Sequence, residues 1–180
     1  ITDEPSGLLS ADAAVLPGVG AFEEGMKGLE MRGLADGIRK FAESGRPILG
    51  ICLGAQVMLS KGYEFGEFDG LGLINGEVVK FPETIKEKIP HVGWNKIYPQ
   101  KEVDWGKTIF DFPEKNVSMY FVHSYILKPH GKENVFALSK YDGFEFCSVV
   151  RKQNIYGCQF HPEKSAEDGL EIIENFVNLV

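Results

Sequence analysis

The sequence predicts an α/β fold, with an open, doubly wound and mostly parallel sheet, helices on both faces and an added antiparallel hairpin region. Three features indicate this fold. Two short apolar runs near the start are each followed by a helical pattern, the middle is divided into short strand-like runs, and the chain closes with an amphipathic helix. The 180 residues suit a single domain, 1–180.

The first third of the chain alternates strands with helices. Residues 11–20 (ADAAVLPGVG) predict a short buried strand, and the apolar spacing after them predicts one helix over about 23–44. RPILGIC then predicts a second buried strand, and AQVMLSKG the start of a second helix. This order is typical of parallel strands covered by helices.

The rest of the chain favours antiparallel pairing. Glycine, proline and charged turns separate four short strand-like runs, namely LGLINGEVVKF, HVGWNKIYP, VSMYFVHSYIL and NVFALSKY. EFCSVVRKQNIYGCQF predicts a hairpin that turns near Lys152 to Asn154. In the closing helix Ser165 is the predicted N-cap, and the predicted apolar face consists of Leu170, Ile173, Phe176, Val177 and Val180.

Charge and cysteine content argue against several classes of protein. The net charge is −7 and no block of Lys and Arg is present, which argues against a nucleic-acid partner. No segment approaches the roughly 18 consecutive apolar residues of a membrane helix, so we expect no membrane partner. Three cysteines without a CxxC pair argue against a disulfide framework or zinc ribbon and favour a reducing, cytoplasmic setting, and the histidines and cysteines show no metal-ligand spacing.

The clearest chemical signal is Gly-Ile-Cys-Leu-Gly, residues 50–54, between a predicted strand and a predicted helix. It is the cysteine form of the G-x-S-x-G nucleophile elbow, in which the glycines allow a sharp turn. The turn would place Cys52 at the carboxyl end of the sheet, where the start of a helix favours the thiolate. The Leu53 N–H would face an oxyanion formed on a substrate. The alternative is a buried cysteine at a tight turn.

A nucleophilic cysteine needs a base, and His161 is the strongest candidate. Glu163 lies two residues later, and in extended chain this spacing places both side chains on one face. Pro162 biases His161 toward extended backbone, so the two can form a fixed imidazole–carboxylate pair. His123 is interpreted as a strand residue near the site, and Cys147 and Cys158 as small core residues.

A second oxyanion donor is predicted in PGVGAF, which ends the first strand. In a doubly wound sheet this turn would lie beside the Cys52 turn. Gly18 and Gly20 leave the backbone around Val19 free to direct an N–H toward a ligand. The alternative is a glycine-rich turn without a chemical role.

Together these residues resemble a known family. GICLGAQ followed about a hundred residues later by FHPEKS resembles the class I, triad-type glutamine amidotransferases. PGVGAF, HVGWN, YFVHSY and QFHPEKS resemble the HisH family in particular, the glutaminase subunits of imidazole glycerol phosphate synthase. The resemblance implies that Cys52 attacks the amide carbon of glutamine, that His161 protonates ammonia and then activates water, and that Glu163 orients His161. It implies no metal and no organic cofactor.

The resemblance also implies how substrate and partner are held. Gln56 and the backbone near Ser124 and Tyr125 would hold the amino-acid end of glutamine. The oxyanion site would be framed by Gly18, Val19, Gly20 and Leu53. Ammonia would pass to a (βα)8-barrel cyclase of the HisF type, the heterodimer partner, with weak glutaminase activity in its absence. Residues at that interface would be His91, Trp94, Asn95 and Lys164, although a core position is the alternative for Trp94.

Some alternatives stay open at this point. Members of this family begin with a strand and helix that carry a D-Y-G-x-G-N-like run, so we expect that a first βα unit of about 30 residues belongs before Ile1. A related subunit that feeds ammonia to another synthase, for example in surface-sugar amination, fits the same motifs. A cysteine hydrolase or peptidase on this fold, and a binding module without catalysis, are the remaining alternatives.

Overall fold

The computed structural model describes residues 1–112 and 117–180. Within these ranges the α-helices are α1 (Pro5–Leu9), α2 (Phe22–Met31), α3 (Leu34–Glu43), α4 (Leu53–Val57) and α5 (Ala166–Val177). The strands are β1 (Ala14–Leu16), β2 (Ile48–Ile51), β3 (Leu59–Gly62), β4 (Phe68–Asp69), β5 (Ile74–Lys80), β6 (His91–Pro99), β7 (Val117–His123), β8 (Tyr125–Pro129), β9 (Val135–Tyr141), β10 (Phe144–Lys152) and β11 (Ile155–Cys158). Short 3₁₀ turns cover Lys132–Asn134 and Pro162–Lys164.

The strands form one curled sheet in the order β1-β2-β11-β10-β8-β5-β3-β4, with β9, β6 and β7 on a branch from β10. Pairing is parallel for β1 with β2, β2 with β11, and β3 with β5. The other pairs are antiparallel, so the sheet is mixed and the predicted α/β class is confirmed, although parallel pairing is less extensive than predicted. The hairpin at Lys152 and Ile155 is one reason, because a tight turn joins only antiparallel strands.

Helices cover both faces of the sheet, as predicted, and β2 lies between them. Ile48 packs into the apolar cluster that contains Leu8, Met26 and Phe41 of α1 to α3. Its neighbour Leu49 packs into the opposite cluster, which includes residues of α5. Successive strand residues point to opposite faces, so β2 is buried throughout. This places the end of β2, where Cys52 follows, deep in the molecule. Within the described part of the chain, no helix is long and apolar enough to cross a membrane.

The single helix predicted over 23–44 is in fact two helices, α2 and α3. Gly33 separates them with φ 66 and ψ 10, in the left-handed region. A right-handed helix cannot continue through such a residue, and glycine adopts it without a Cβ clash. The apolar spacing continues across the break, which is why periodicity alone merged the two helices.

The second predicted helix is only one turn long. After α4 the chain enters β3, whose Leu59 pairs with Ile74 and whose Gly62 pairs with Val78. A Cβ at Gly62 would lie 2.5 Å from the Phe22 ring, so the strand passes directly against α2. Pairing between distant segments therefore overrides the local helical pattern here.

The closing helix was predicted in the right place, but of its predicted apolar face only Phe176 is buried and Ile173 half-buried. The buried residues of α5 are Gly169, Ile172 and Phe176. Leu170 is 58% exposed, and Val177 and Val180 are also exposed. Ser165 occupies the N-cap position without a side-chain cap hydrogen bond, because its hydroxyl is engaged elsewhere.

Candidate active site

The predicted elbow is present between β2 and α4. Cys52 has φ 53 and ψ −109, a strained conformation for a residue with a side chain. A Cβ at Gly54 would overlap the carbonyl oxygen of Leu16, so this position requires glycine for β1 to approach. Backbone strain of this kind concentrates at functional sites, and at Cys52 it sets the side chain in the wall of a cavity.

That cavity has a volume of about 290 Å³ and lies at the carboxyl ends of the parallel strands β1, β2 and β11. Open α/β sheets bind ligands at this edge. Most of the predicted catalytic and substrate residues line it, namely Val19, Gly20, Cys52, Leu53, Gln56, Ser124, Tyr125 and His161. Lys164, predicted at the partner interface, also lines it.

The base side of the cavity has the geometry that the sequence predicted. His161 Nδ1 lies 2.8 Å from Glu163 Oε1, with His161 buried and the Glu163 side chain 44% exposed. An ionised carboxylate only accepts hydrogen bonds, so Nδ1 carries the proton and Nε2 of a neutral His161 is left as a base. Sequence spacing identified this pair correctly.

The backbone of His161 is held as firmly as its side chain. His161 N–H donates to the carbonyl of Tyr120 on β7 at 2.9 Å. The buried Ser165 hydroxyl donates to the His161 carbonyl at 2.6 Å and accepts from the Tyr120 N–H at 2.9 Å. Ser165 therefore connects β7 to the segment that carries His161, a role that the sequence analysis missed because it interpreted Ser165 only as a helix cap.

The Cys52 thiol is not in the thiolate-favouring environment that we predicted. Burial raises its pKa to about 11, the Leu53 backbone opposes this, and the charge of Glu163 adds to it. The helix that follows is one turn long, so little dipole accumulates to offset desolvation. Near neutral pH the sulfur is therefore protonated, and its activation needs a base.

The predicted oxyanion site is not formed in this conformation. The Leu53 N–H donates to the Gly18 carbonyl at 3.3 Å, so Gly18 presents an acceptor where a second donor was predicted. Val19 is 78% exposed and Gly20 has φ +105, which places this segment, residues 18–20, at the surface of the cavity mouth. The segment lies where we predicted, but with its Gly18–Val19 peptide turned the other way.

Two polar residues beside the predicted substrate groups were missed. Glu64 lines the cavity, and its carboxylate accepts from the Phe22 N–H at 2.8 Å. Gln159 is fully buried, and its Oε1 lies 3.2 Å from the Nε2 of Gln56. Glu64 was missed because it follows β3, which the sequence analysis interpreted as part of a helix. Gln159, two residues before His161, was not predicted to belong to the site.

His91 is not at the surface, and its predicted place in a partner interface is wrong. It is 3% exposed and stacks on Tyr141 at a ring distance of 4.1 Å. Its Nδ1 lies 3.0 Å from His123 Nε2, and His123 Nδ1 lies 2.8 Å from the Tyr125 carbonyl. The Tyr125 carbonyl only accepts, so His123 Nδ1 carries a proton and donates to it. His123 Nε2 then accepts a hydrogen bond from Nδ1–H of His91, and both imidazoles are neutral. Burial lowers the pKa of His91 to about 4 and that of His123 to about 3.

The paired strands β6 and β7 carry an apolar surface beside the cavity. Trp94 is 55% exposed, which excludes the alternative of a core tryptophan. It pairs with Tyr120, and its exposed neighbour Val92 pairs with the exposed Val122, which also lines the cavity. We call these four residues the ribbon patch. Asn95, also predicted at the interface, lies on the opposite face of β6, half buried, and donates to the Lys140 carbonyl at 2.8 Å.

In the described ranges, no group of three His, Cys, Asp or Glu side chains is placed to hold a metal ion. Cys147 and Cys158 are free and fully enclosed in the core, as predicted.

Comparison with known proteins agrees with this geometry. Residues 5–179 match the class I glutamine amidotransferase family. The chain is 49% identical over 184 residues to "Imidazole glycerol phosphate synthase subunit HisH 1" of Legionella pneumophila (strain Lens), covering 99% of this chain and 86% of the relative. It is 44% identical to subunit HisH of Syntrophotalea carbinolica, covering 98% and 85%.

Solved structures share the fold at lower identity. A crystal structure of a glutamine amidotransferase superposes with a TM-score of 0.71 at 18% identity, covering 98% of this chain and 85% of the other. The crystal structure of a putative GMP synthase protein from Thermoplasma acidophilum gives 0.67 at 23%, covering 98% and 76%. The family match and the two curated relatives show that the protein is an enzyme of the class I glutamine amidotransferase family, and both of those relatives are HisH subunits.

Proposed function

We propose that this enzyme hydrolyses glutamine to glutamate and ammonia with Cys52 as nucleophile, His161 as general acid and base, and Glu163 as the group that orients His161. The observation that carries the proposal is the hydrogen bond of 2.8 Å between His161 and Glu163 at the cavity that the Cys52 elbow enters. A histidine held by a carboxylate beside a cysteine is the arrangement that nucleophilic acyl transfer needs.

In the proposed reaction, one proton passes from the Cys52 thiol through His161 to the leaving nitrogen. His161 Nε2 takes the proton from the Cys52 thiol as sulfur attacks the amide carbon of glutamine. The same proton then goes to the leaving nitrogen, the C–N bond breaks, ammonia departs and a thioester remains. Water, deprotonated by His161, hydrolyses the thioester and regenerates the thiol. Because the pKa of Cys52 is raised, the first transfer depends on His161.

The oxyanion site explains why we propose weak activity for the isolated chain. The Leu53 N–H is occupied by the Gly18 carbonyl. Rotation of the Gly18–Val19 peptide would free Leu53 and turn the Val19 N–H toward the substrate. Two donors aimed at the developing charge are worth about 10²- to 10³-fold each in rate. Binding of a partner over this segment would favour the rotated form.

The amino-acid end of glutamine is proposed to lie between Glu64, Gln56 and the start of β8. The Glu64 carboxylate attracts the α-ammonium group, and the Gln56 amide oxygen accepts from it. Backbone groups near Ser124 and Tyr125 hold the α-carboxylate. All four residues line the cavity, which is large enough for one amino acid.

We further propose that the ammonia passes to a (βα)8-barrel cyclase in a heterodimer that serves histidine biosynthesis. The names of the HisH relatives support this assignment. The ribbon patch supports it too, since an exposed tryptophan with flanking apolar side chains, of which Val122 lines the cavity, suits the centre of an interface. Lys164 lies at the same mouth, whereas the buried His91 does not belong to this surface.

The test compares glutamine-dependent with ammonia-dependent synthesis of imidazole glycerol phosphate in the presence of the cyclase. Cys52→Ala abolishes the glutamine-dependent reaction and leaves the ammonia-dependent one. Cys147→Ala, which removes a buried thiol outside the cavity, keeps both. Glutamine-dependent synthesis that survives in Cys52→Ala would contradict the proposed nucleophile, and loss of both reactions would contradict the assignment of Cys52 to chemistry rather than assembly.

A further inference from the structure

The side-chain amide of Gln56 is oriented by two oxygen atoms on its inner side. Its Nε2 lies 3.2 Å from Gln159 Oε1 and 3.5 Å from the Tyr125 carbonyl oxygen. The backbone carbonyl can only accept, so it selects the amide orientation in which the Gln56 NH₂ group faces inward. The Oε1 of Gln56 is then the atom left for the cavity, which Gln56 lines.

Gln159 is an unusual residue to find on the inner side of this site. It is fully buried, and its backbone N–H donates to the Ser148 carbonyl at 2.9 Å. Its Nε2 has no hydrogen-bond partner among the described residues, although the side chain is enclosed on all sides. A buried donor without a partner is destabilising, so the residue is not explained by core stability. Its Oε1, by contrast, accepts a hydrogen bond from Gln56 Nε2.

The orientations of the two amides depend on each other. If the Gln159 amide turned over, its NH₂ group would face the NH₂ group of Gln56, and two donors repel. If Gln56 turned as well, its oxygen would face the Tyr125 carbonyl and its NH₂ group would face the cavity. A donor there would oppose an ammonium group beside Glu64. The observed orientation is the one that suits a cationic ligand.

We propose that Gln159 is a positioning residue for glutamine recognition: by accepting from Gln56 Nε2, it keeps the Gln56 oxygen directed at the α-ammonium group of glutamine. This inference rests on the proposed glutaminase function. Glu64 supplies attraction for the ammonium group, and the Gln159–Gln56 pair supplies direction. The pair therefore contributes to the distinction between glutamine and an amide that lacks the α-amino group.

The test measures ammonia release from glutamine and from glutaramate, which is glutamine without its α-amino group, by the chain alone and with the cyclase. Gln159→Met keeps the length of the side chain and removes the acceptor. We expect its KM for glutamine to rise about tenfold with kcat within about threefold, the size of one lost charge-assisted hydrogen bond. Its KM for glutaramate stays within about twofold of the wild-type value, so the preference for glutamine shrinks.

Two further variants keep the outcome interpretable. Gln159→Glu retains an acceptor for Gln56 and keeps the preference for the α-amino group. Ser148→Ala removes a buried hydroxyl that makes no hydrogen bond in the described ranges, to Gln56 or to any other residue, so it changes neither KM. An equal loss on both substrates in Gln159→Met, or a lost preference in Gln159→Glu, overturns the proposal. If Gln159→Met does not fold, the Gln159→Glu result decides.

Failure of the proposed function would look different. A wild-type chain that releases no ammonia from glutamine, with or without the cyclase, refutes the glutaminase assignment. If the wild-type chain turns over glutamine and the Gln159→Met variant keeps the same preference for glutamine over glutaramate, only the role of Gln159 is refuted.

Discussion

The two sides of the cavity are held very differently. On the base side, the backbone N–H, the backbone carbonyl and Nδ1 of His161 each make a hydrogen bond of 2.6–2.9 Å. On the oxyanion side, Val19 and Gly20 are exposed, and the Gly18 carbonyl accepts from Leu53 N–H at 3.3 Å. The proposed base is preorganised and the proposed oxyanion donors are not. We therefore expect activity to be controlled on the oxyanion side, where the proposed rotation of the Gly18–Val19 peptide separates two states.

Removing the Ser165 hydroxyl, which helps to hold His161, has the largest expected effect on activity among substitutions outside the reacting groups. Ser165→Ala removes the two hydrogen bonds that connect His161 to Tyr120 through the Ser165 hydroxyl and leaves the direct bond from His161 N–H to the Tyr120 carbonyl. We expect kcat for glutamine hydrolysis to fall about tenfold with KM little changed, because misplacement of the base acts on the chemical step. Steady-state kinetics of ammonia release measures this.

Two variants separate positioning from general stability. Ser165→Thr keeps the hydroxyl and recovers most of the lost rate. Ser139→Ala alters a buried serine that makes no side-chain hydrogen bond in the described part of the chain, and it leaves kcat unchanged. A Ser165→Ala variant with a lower melting temperature but normal kcat would show that this side of the cavity needs no such tie.

Restricting the backbone of residues 18–20 is expected to lower stability slightly and to reduce activation by the cyclase. Gly20→Ala meets no atom within 4 Å, so its cost comes from the backbone, which has φ +105. We expect the free energy of unfolding to fall by about 1 kcal/mol and the stimulation of glutaminase activity by the cyclase to decrease. Thermal unfolding and ammonia release, with and without the cyclase, measure the two effects.

Gly28→Ala is the matched control for that experiment. Gly28 lies inside α2 without a positive φ, and a Cβ there meets only the end of Arg32 at 3.5 Å. The change is therefore expected to stabilise the protein by up to about 1 kcal/mol and to leave activation as it is. If Gly20→Ala behaves like Gly28→Ala, segment 18–20 does not need its left-handed residue.

The parts of the site that the sequence predicted depend on local signals. The glycines around Cys52 and the two-residue spacing of His161 and Glu163 each specify geometry within a few residues, and both features are present. The strands β1 and β2 were predicted for the same reason, since each is a short apolar run with glycine inside it or two residues after it. The predicted burial is correct for β2 but wrong for β1, whose Val15 is 50% exposed.

The parts that failed depend on residues far apart in sequence. β3 is a strand because Leu59 and Gly62 pair with β5, and Glu64 reaches the cavity only as a result. His91 is buried because Tyr141 and Phe121 stack on it from other strands. The raised pKa of Cys52 comes from its surroundings rather than from its motif. Such features follow from packing, which short-range patterns do not encode.

The most direct test of the central claim uses a diazoketone analogue of glutamine as a covalent label. Labelling by this analogue requires a sulfur nucleophile and a neighbouring base in the same cavity. Cys147 and Cys158 do not meet this requirement, because both are enclosed in the core. We predict one label per chain, on Cys52, with the labelling rate reduced about 10³-fold in His161→Ala. Labelling of Cys147 or Cys158, or an unchanged rate at Cys52 in His161→Ala, would contradict a Cys52–His161 catalytic pair.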